Sequence, residues 1–282
     1  MAKTRTLAAF VTSTIFFLSF SFFTAPLLVS CGSKTESLPY ADTLENRKKW
    51  GKLYLEFFSL KGDKKYDEAE KLIVEMEKYQ PSSGPSSRGE IAFVQGKFEE
   101  ADRQVLEAIK LEPESFAYWE TAAVYAYRLG HTKEAMERAT KAIDLKGKDG
   151  KPSTAYLIRG MIYRQEKQFQ KALAEFDECL KVTPDDVEAS YFKGACLDAL
   201  GKSDQALAAF NEALRWEPNL QSAIKRRLAI YMRRGDKANA RKELALSETQ
   251  AKSKIMASKK DYIPSDLSTD QVKNIVQNPK AE

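Results

Sequence analysis

The sequence predicts an all-α fold, a superhelical solenoid of helix-turn-helix repeats. Residue types recur at a step of 34 positions, as with Gly160 and Gly194, or Phe176 and Phe210. Within each repeat, apolar residues follow one another at steps of three or four, which places them on one face of a helix. Because a single pair of helices cannot bury such a face, neighbouring repeats must stack on each other.

Small residues, bulky residues and prolines have set positions within the repeat. Gly160 and Ala172 let two antiparallel helices approach closely, while Phe176 fills the space beside them. Pro184 ends the second helix, because proline lacks a backbone N–H and clashes with the preceding turn. These positions predict two helices in every repeat.

This pattern resembles the tetratricopeptide repeat, a helix-turn-helix unit of about 34 residues. Trp119 stands where that family has its tryptophan. Four units match well, at 82–115, 116–149, 153–186 and 187–220. Looser units at 48–81 and 221–254 flank them, as expected of repeats that cap a stack. The predicted solenoid spans residues 48–250.

The resemblance also implies a binding surface, because the first helices of tetratricopeptide units line a concave groove that holds peptides or helices. Carried over residue by residue, the predicted groove positions are Glu120, Tyr127, Arg128, Leu157, Met161, Arg164, Tyr191, Asp198, Lys225 and Met232. One subtype of the family clamps a terminal carboxylate with Lys and Asn. This chain has Glu120, Val124, Leu157 and Met161 at those positions, which argues against that specificity.

The N-terminal segment predicts export. Lys3 and Arg5 precede a long apolar stretch, and no further charge occurs before Lys34, which is typical of a secretory signal. The residues LVSC at 28–31 resemble the lipobox of bacterial lipoproteins. That resemblance implies a signal peptide over 1–30, a lipid on Cys31 and a tether over 31–47.

The nature and location of the anchor follow from the same residues. In the lipoproteins that this segment resembles, an aspartate directly after the cysteine is associated with inner-membrane retention. This chain has Gly32 at that position, which favours the outer membrane over the inner membrane. The alternative to lipidation is a retained membrane helix that ends near Cys31.

Two segments follow the best repeats. Residues 224–237 hold six basic residues and one acidic residue, which predicts an amphipathic helix with its charges in solvent; contact with anionic lipid or an acidic partner is the alternative. The polar tail, 251–282, contains a capping-box spacing from Ser268 to Gln271 and predicts a short amphipathic helix.

Composition argues against several classes of function. The 45 basic and 40 acidic residues leave a net charge of +5, which does not require nucleic acid as a partner. The single histidine, His131, lies in a predicted turn, and no phosphate-binding loop or paired-cysteine motif occurs. We therefore expect no catalytic site, metal, cofactor or small-molecule substrate. Cys179 and Cys196 are predicted to be buried thiols, with a disulfide between them as the alternative.

Two hypotheses on function remain. The first is a membrane-anchored, non-enzymatic adaptor or scaffold in the bacterial cell envelope, bound to other envelope proteins through the groove and to the membrane through the lipid on Cys31. The alternative is a surface-exposed structural or adhesin-type lipoprotein.

Overall fold

The computed structural model describes residues 43–146 and 150–258 of the chain, with side chains described as far as Ser247. Within these residues, the chain forms twelve α-helices and no β-strand. The helices are α1 (Leu44–Gly62), α2 (Tyr66–Met76), α3 (Ser83–Val94), α4 (Phe98–Leu111), α5 (Phe116–Leu129), α6 (Thr132–Leu145), α7 (Ser153–Gln165), α8 (Phe169–Val182), α9 (Val187–Ala199), α10 (Ser203–Trp216), α11 (Gln221–Arg233) and α12 (Lys237–Ser258). The predicted all-α solenoid of helix-turn-helix repeats is confirmed.

Consecutive helices form pairs, and within α3 to α10 the pairs stack in chain order. The most extensive contacts join α3 with α4, α5 with α6, α7 with α8 and α9 with α10. Successive pairs then pack through α4 and α5, α6 and α7, and α8 and α9. Among the first helices, α5 also contacts α7 and α7 contacts α9, so the three form a continuous side of the stack.

The helices fall into two compact units. The N-terminal unit ends at Trp216 and contains α1 to α10. The C-terminal unit begins at Glu217 and contains α11 and α12, which pack on each other.

The repeated glycine and phenylalanine positions meet inside the N-terminal unit. Phe176 and Phe210 are fully buried. A Cβ added to Gly160 would lie 2.6 Å from the Phe176 ring, and one added to Gly194 would lie 2.7 Å from the Phe210 ring. Since Cβ atoms do not approach other atoms so closely, glycine is required for each aromatic ring to sit against the first helix.

A residue with positive φ marks the turn between the two helices of each repeat. Four of these residues are glycines, and the other two are lysines: Lys64, Gly96, Gly130, Lys167, Gly201 and Gly235. Gly130 adopts φ 80° and donates its backbone N–H to carbonyl groups in the last turn of α5, which closes the end of that helix. The turn is therefore the same in all repeats, although glycine is not always present.

The boundaries of the helical region differ from the predicted ones. The tether was predicted to extend to residue 47, but α1 begins at Leu44 because the Thr43 hydroxyl caps it by accepting a hydrogen bond from the Asn46 amide at 3.1 Å. At the other end, α12 continues to Ser258, beyond the predicted end of the solenoid at 250. The predicted signal peptide, Cys31 and the helix after Ser268 lie outside the described residues.

In the part of the chain that the structure describes, no helix is long and apolar enough to cross a membrane.

Candidate functional site

Eight of the ten predicted groove residues lie on three neighbouring helices of the N-terminal unit. These helices are α5, α7 and α9, of which α7 contacts both of the others. The eight residues, named here the first-helix face, are Glu120, Tyr127, Arg128, Leu157, Met161, Arg164, Tyr191 and Asp198. The remaining two, Lys225 and Met232, lie on α11 in the C-terminal unit.

The first-helix face has a buried part and a partly exposed part. Four of its residues expose 9 % or less of their surface: Glu120, Tyr127, Leu157 and Met161. Four are partly exposed: Arg128, Arg164, Tyr191 and Asp198. Only the second group is accessible from solvent, and the buried group supports the helices beneath it.

Glu120 joins two repeats rather than facing solvent. Its Oε1 atom accepts a hydrogen bond from the backbone amide of Ala155 at 2.9 Å, in the first turn of α7. Pro152, the residue before α7, provides no side-chain cap, so a glutamate from the preceding repeat takes that role. Burial raises the pKa of Glu120 to about 8, although the amides of Ala155 and Thr154 act in the opposite sense.

Arg128, in the last turn of α5, lies against aromatic rings of the preceding repeat. Its guanidinium carbon is 5.5 Å from the centre of the Phe93 ring and 5.7 Å from that of Phe98. Its Nε and Nη2 atoms are buried and have no hydrogen-bond partner among the described residues. Burial lowers the pKa of Arg128, whereas Glu188 and Tyr127 act in the opposite sense. The aromatic rings therefore hold the Arg128 side chain in place, and two of its nitrogen atoms make no hydrogen bond within the described residues.

Arg164 repeats this arrangement in the last turn of α7, but it stacks on the following repeat. Its guanidinium carbon is 4.6 Å from the centre of the Phe192 ring on α9. Its Nε atom is also buried without a hydrogen-bond partner in the described part of the chain.

Tyr127 interacts electrostatically with both arginines. Its hydroxyl accepts a hydrogen bond from Gln165 Nε2 at 2.7 Å. Burial raises the pKa of Tyr127, while the positive charges of Arg164 and Arg128 act in the opposite sense, and Glu188 contributes in the same sense as burial. We call Arg128, Arg164, Tyr127, Gln165 and Glu188 the arginine cluster.

Tyr191 extends the aromatic part of the face along α9. Its ring centre is 5.2 Å from that of Phe192 and 5.8 Å from that of Phe210. Tyr191 therefore packs on the same phenylalanine that carries Arg164, while part of its surface remains accessible.

In the C-terminal unit, α11 has the predicted amphipathic character. Ile224 is fully buried, whereas Lys225 is exposed and Met232 exposes 56 % of its surface. Arg227 donates to Glu243 of α12 at 2.5 Å, so one of the basic residues of 224–237 joins the two helices.

The polar residues that could suggest chemistry are placed apart. His131 lies in the turn before α6, with 53 % of its side chain exposed. Cys179 and Cys196 are both buried free thiols, so the structure does not contain the disulfide that the sequence left as an alternative. Across residues 43–146 and 150–247, whose side chains are described, no group of three or more His, Cys, Asp or Glu side chains could hold a metal ion.

Family models for the tetratricopeptide repeat match two segments of the chain, residues 87–152 and residues 163–229. Both segments fall on the helix pairs described above. The chain contains tetratricopeptide repeats. This part of the predicted resemblance is confirmed, whereas the lipoprotein signal stays a prediction.

Curated relatives share the tetratricopeptide repeats over part of their length. Hsp70-Hsp90 organizing protein 1 of Glycine max is 32% identical over 148 residues, which are 50% of this chain and 25% of that protein. Hsp70-Hsp90 organizing protein 3 of Arabidopsis thaliana is 30% identical over 148 residues, 50% of this chain and 26% of that protein. The chain spans about a quarter of the length of these relatives.

Solved structures of tetratricopeptide-repeat proteins share the fold. The Pseudomonas aeruginosa pilF structure superposes with a TM-score of 0.62 at 11% identity, covering 73% of this chain and 93% of that chain. A tetratricopeptide repeat protein from Parabacteroides merdae superposes with a TM-score of 0.53 at 20% identity, covering 72% of this chain and 80% of that chain. At these identities the likeness concerns the fold alone.

Several residues of the site were not predicted from the sequence. They are the aromatic rings that hold the arginines and the polar members of the arginine cluster: Phe93, Phe98, Phe192, Gln165 and Glu188. Each lies in a different helix from the arginine that it contacts or interacts with, except Gln165 beside Arg164. The sequence periodicity assigns faces to helices, but it does not say which side chains of neighbouring repeats meet.

Proposed function

We propose that this protein is a lipid-anchored adaptor of the bacterial cell envelope that holds another envelope protein on the first-helix face. The observation that carries the proposal is the partly exposed group Arg128, Arg164 and Tyr191 on adjoining helices. Arginine and tyrosine are enriched in the energetically dominant parts of protein interfaces. Their contacts with phenylalanine rings, which are edge-on for Tyr191, fix their positions and so reduce the entropy lost on binding.

The relatives support a role in holding other proteins. Two of them are named as organizing proteins of Hsp70 and Hsp90. In this chain the clamp positions of the family hold Glu120, Val124, Leu157 and Met161, all of them buried, with Val124 8 % exposed and the other three 2 % exposed. The partner that we propose is therefore recognised by other residues of the face.

The anchor is proposed from the N-terminal sequence. In this proposal Cys31 receives the lipid, residues 1–30 are then removed, and the repeats are held at a membrane, with Gly32 favouring the outer membrane. A diacylglycerol provides two acyl chains, which is enough for stable attachment. Cells grown with labelled palmitate should label the wild-type chain but not Cys31→Ala; equal labelling of both would contradict the anchor.

Photocross-linking in intact cells tests the adaptor role. The photoreactive residue p-benzoylphenylalanine is introduced in place of Tyr191 on the first-helix face. Matched control positions on second helices are Trp216, with 49 % of its surface exposed, and Leu111, with 53 %. We expect one cross-linked envelope protein from position 191 and none from positions 216 and 111.

Two outcomes would refute the proposal. No adduct at any position, or the same adducts at all three, would show that the first-helix face is not a specific binding surface. Protease added to intact cells separates the adaptor from the adhesin: the adaptor is shielded, and a surface-exposed adhesin is cleaved.

A further inference from the structure

The arginine cluster contains more hydrogen-bond donors than acceptors. Arg128 Nε and Nη2, together with Arg164 Nε, are buried and have no partner in the described part of the chain. A buried donor without an acceptor is destabilising, because it has lost water and gained nothing in exchange. Arg159 also has a buried Nε without a partner among the described residues, but its Nη2 donates to Glu175 at 2.5 Å, and Arg138 pairs with Asp102.

The arginine cluster also contains more positive groups than negative groups. Two guanidinium groups and one carboxylate, that of Glu188, interact electrostatically through this region. Glu188 itself is buried to 7 % exposure at the start of α9. Of the charges that act on the Tyr127 hydroxyl, two are therefore positive and one is negative.

The rings hold both guanidinium groups in position without using their N–H groups. Phe93 and Phe98 support Arg128, and Phe192 supports Arg164. Both arginine side chains are also partly exposed, so a carboxylate of a partner can approach the guanidinium groups from the solvent side. A guanidinium binds the two oxygens of a carboxylate through two N–H donors.

We propose that Arg128 and Arg164 form a binding site for a glutamate or aspartate side chain of the partner protein. This inference rests on the proposed function, since it specifies the chemistry recognised on the first-helix face. The site differs from the terminal-carboxylate clamp of the family, whose positions here are occupied by buried Glu120, Leu157 and Met161. The partner segment carries an acidic side chain that reaches the last turns of α5 and α7, where the two arginines lie.

Peptide binding to the full-length protein in detergent tests the inference. The probes are fluorescein-labelled peptides in which glutamate alternates with leucine, and matched peptides with glutamine in place of glutamate. Both have amidated C-termini, which removes the terminal carboxylate. Fluorescence anisotropy then measures the preference for the acidic side chain.

Three double variants separate the site from general electrostatics. R128Q/R164Q removes both cations of the cluster. R103Q/R215Q removes two exposed arginines of second helices, whose side chains are 75% and 70% exposed, with the same change in net charge. Because the charge change is equal, any difference between the variants belongs to the site. R128K/R164K retains the charge but loses the planar donors, and circular dichroism with thermal melting checks that every variant is folded.

We expect the glutamate peptide to bind the wild type more tightly than the glutamine peptide. R128Q/R164Q should weaken glutamate-peptide binding about tenfold or more, with R128K/R164K in between and R103Q/R215Q within about twofold of the wild type. Equal affinity for both peptides, equal losses in the two Gln variants, or no binding to the wild type would each overturn the inference.

The outcomes also distinguish this inference from the adaptor role. If position 191 still cross-links a partner while the peptides show no acidic preference, the carboxylate site is wrong and the adaptor role stands. If position 191 cross-links nothing, the adaptor role is wrong whatever the peptides show.

Discussion

The carboxylate of Glu120 in α5 caps the first turn of α7 by accepting a hydrogen bond from the Ala155 amide at 2.9 Å. Its second oxygen, Oε2, is buried without a partner. A residue predicted to face a ligand thus connects two repeats, at the point where residues 146–152 separate them. The next repeat uses a local residue instead: Asp186 caps α9 by accepting from the Ala189 amide at 2.7 Å.

Glu120 should make stability depend on pH. Its pKa is raised from 4.5 to about 8 in the folded state, so between these values the folded chain retains a proton that the unfolded chain releases. The contribution of Glu120 to stability is therefore fully present below pH ~4.5 and is lost as the pH rises through about 8, by at most ~1.4 kcal/mol per pH unit.

Glu120→Gln retains an acceptor and removes this titration. In thermal melts, the variant should gain stability relative to the wild type as the pH rises from about 5 to about 9, the range in which the Glu120 carboxyl titrates. Glu107→Gln, an exposed glutamate on α4, is the control and should follow the wild type. Parallel pH profiles of wild type and Glu120→Gln would contradict this assignment.

Alanine at the repeated glycines should destabilise the stack. The new methyl group of Gly160→Ala meets the Phe176 ring at 2.6 Å, and the buried ring has little room to move. We expect a loss of about 1–3 kcal/mol in the free energy of unfolding, measured by urea denaturation, and a similar loss for Gly194→Ala.

Gly51→Ala is the matched control for these two variants. It lies within α1, and nothing is within 4 Å of its added Cβ, so alanine should stabilise the helix by about 0.5–1 kcal/mol. If all three alanines have the same effect, close packing of glycine on phenylalanine is not what these positions require.

We expect the ion pair between Arg159 of α7 and Glu175 of α8 to stabilise this repeat, because both side chains are largely buried. Its side chains are 21% and 11% exposed, and the same separation of 16 residues recurs in Arg227 and Glu243 of the C-terminal unit. Glu175→Ala leaves the guanidinium without its carboxylate, and we expect a loss of about 3 kcal/mol in the free energy of unfolding.

The exposed pair Glu178–Lys181 is the control for this prediction. Its side chains are 46% and 68% exposed, so Glu178→Ala should cost less than about 1 kcal/mol. The double variant R159M/E175L should be more stable than Glu175→Ala alone, because no unpaired charge remains. A double variant that is less stable than the single one would show that packing, and not charge, dominates there.

The two described cysteines should be unreactive in the native protein. Burial raises the pKa of Cys179 well above its ordinary value and that of Cys196 to about 11, so neither thiol is ionised near neutral pH. In full-length Cys31→Ala, Ellman's reagent should label no thiol natively and both in guanidinium without reductant. Absence of labelling after unfolding would mean that a disulfide joins them.

The repeat architecture could be predicted from the sequence because its signals are local and recur. Pro184 and Pro218 come after helices that end at Val182 and Trp216, and the step from Gly160 to Gly194 matches a repeated packing site. Helical periodicity depends on residues three and four apart, so it needs no knowledge of tertiary contacts. The exact ends of the helical region were harder to predict from the sequence. Whether Thr43 caps α1 depends on the local backbone geometry, which the sequence does not show.

The chemistry of the first-helix face was decided only by the tertiary structure. The sequence placed Glu120, Arg128 and Arg164 on one side of the stack, and it could not distinguish a cap from a binding residue. That distinction depends on side chains of adjacent repeats, because Ala155 turns Glu120 into a cap and Phe192 holds Arg164 at the surface. The sequence by itself thus determined the repeat and its helices, while packing between repeats determined which polar groups are satisfied within the protein and which remain available to a partner.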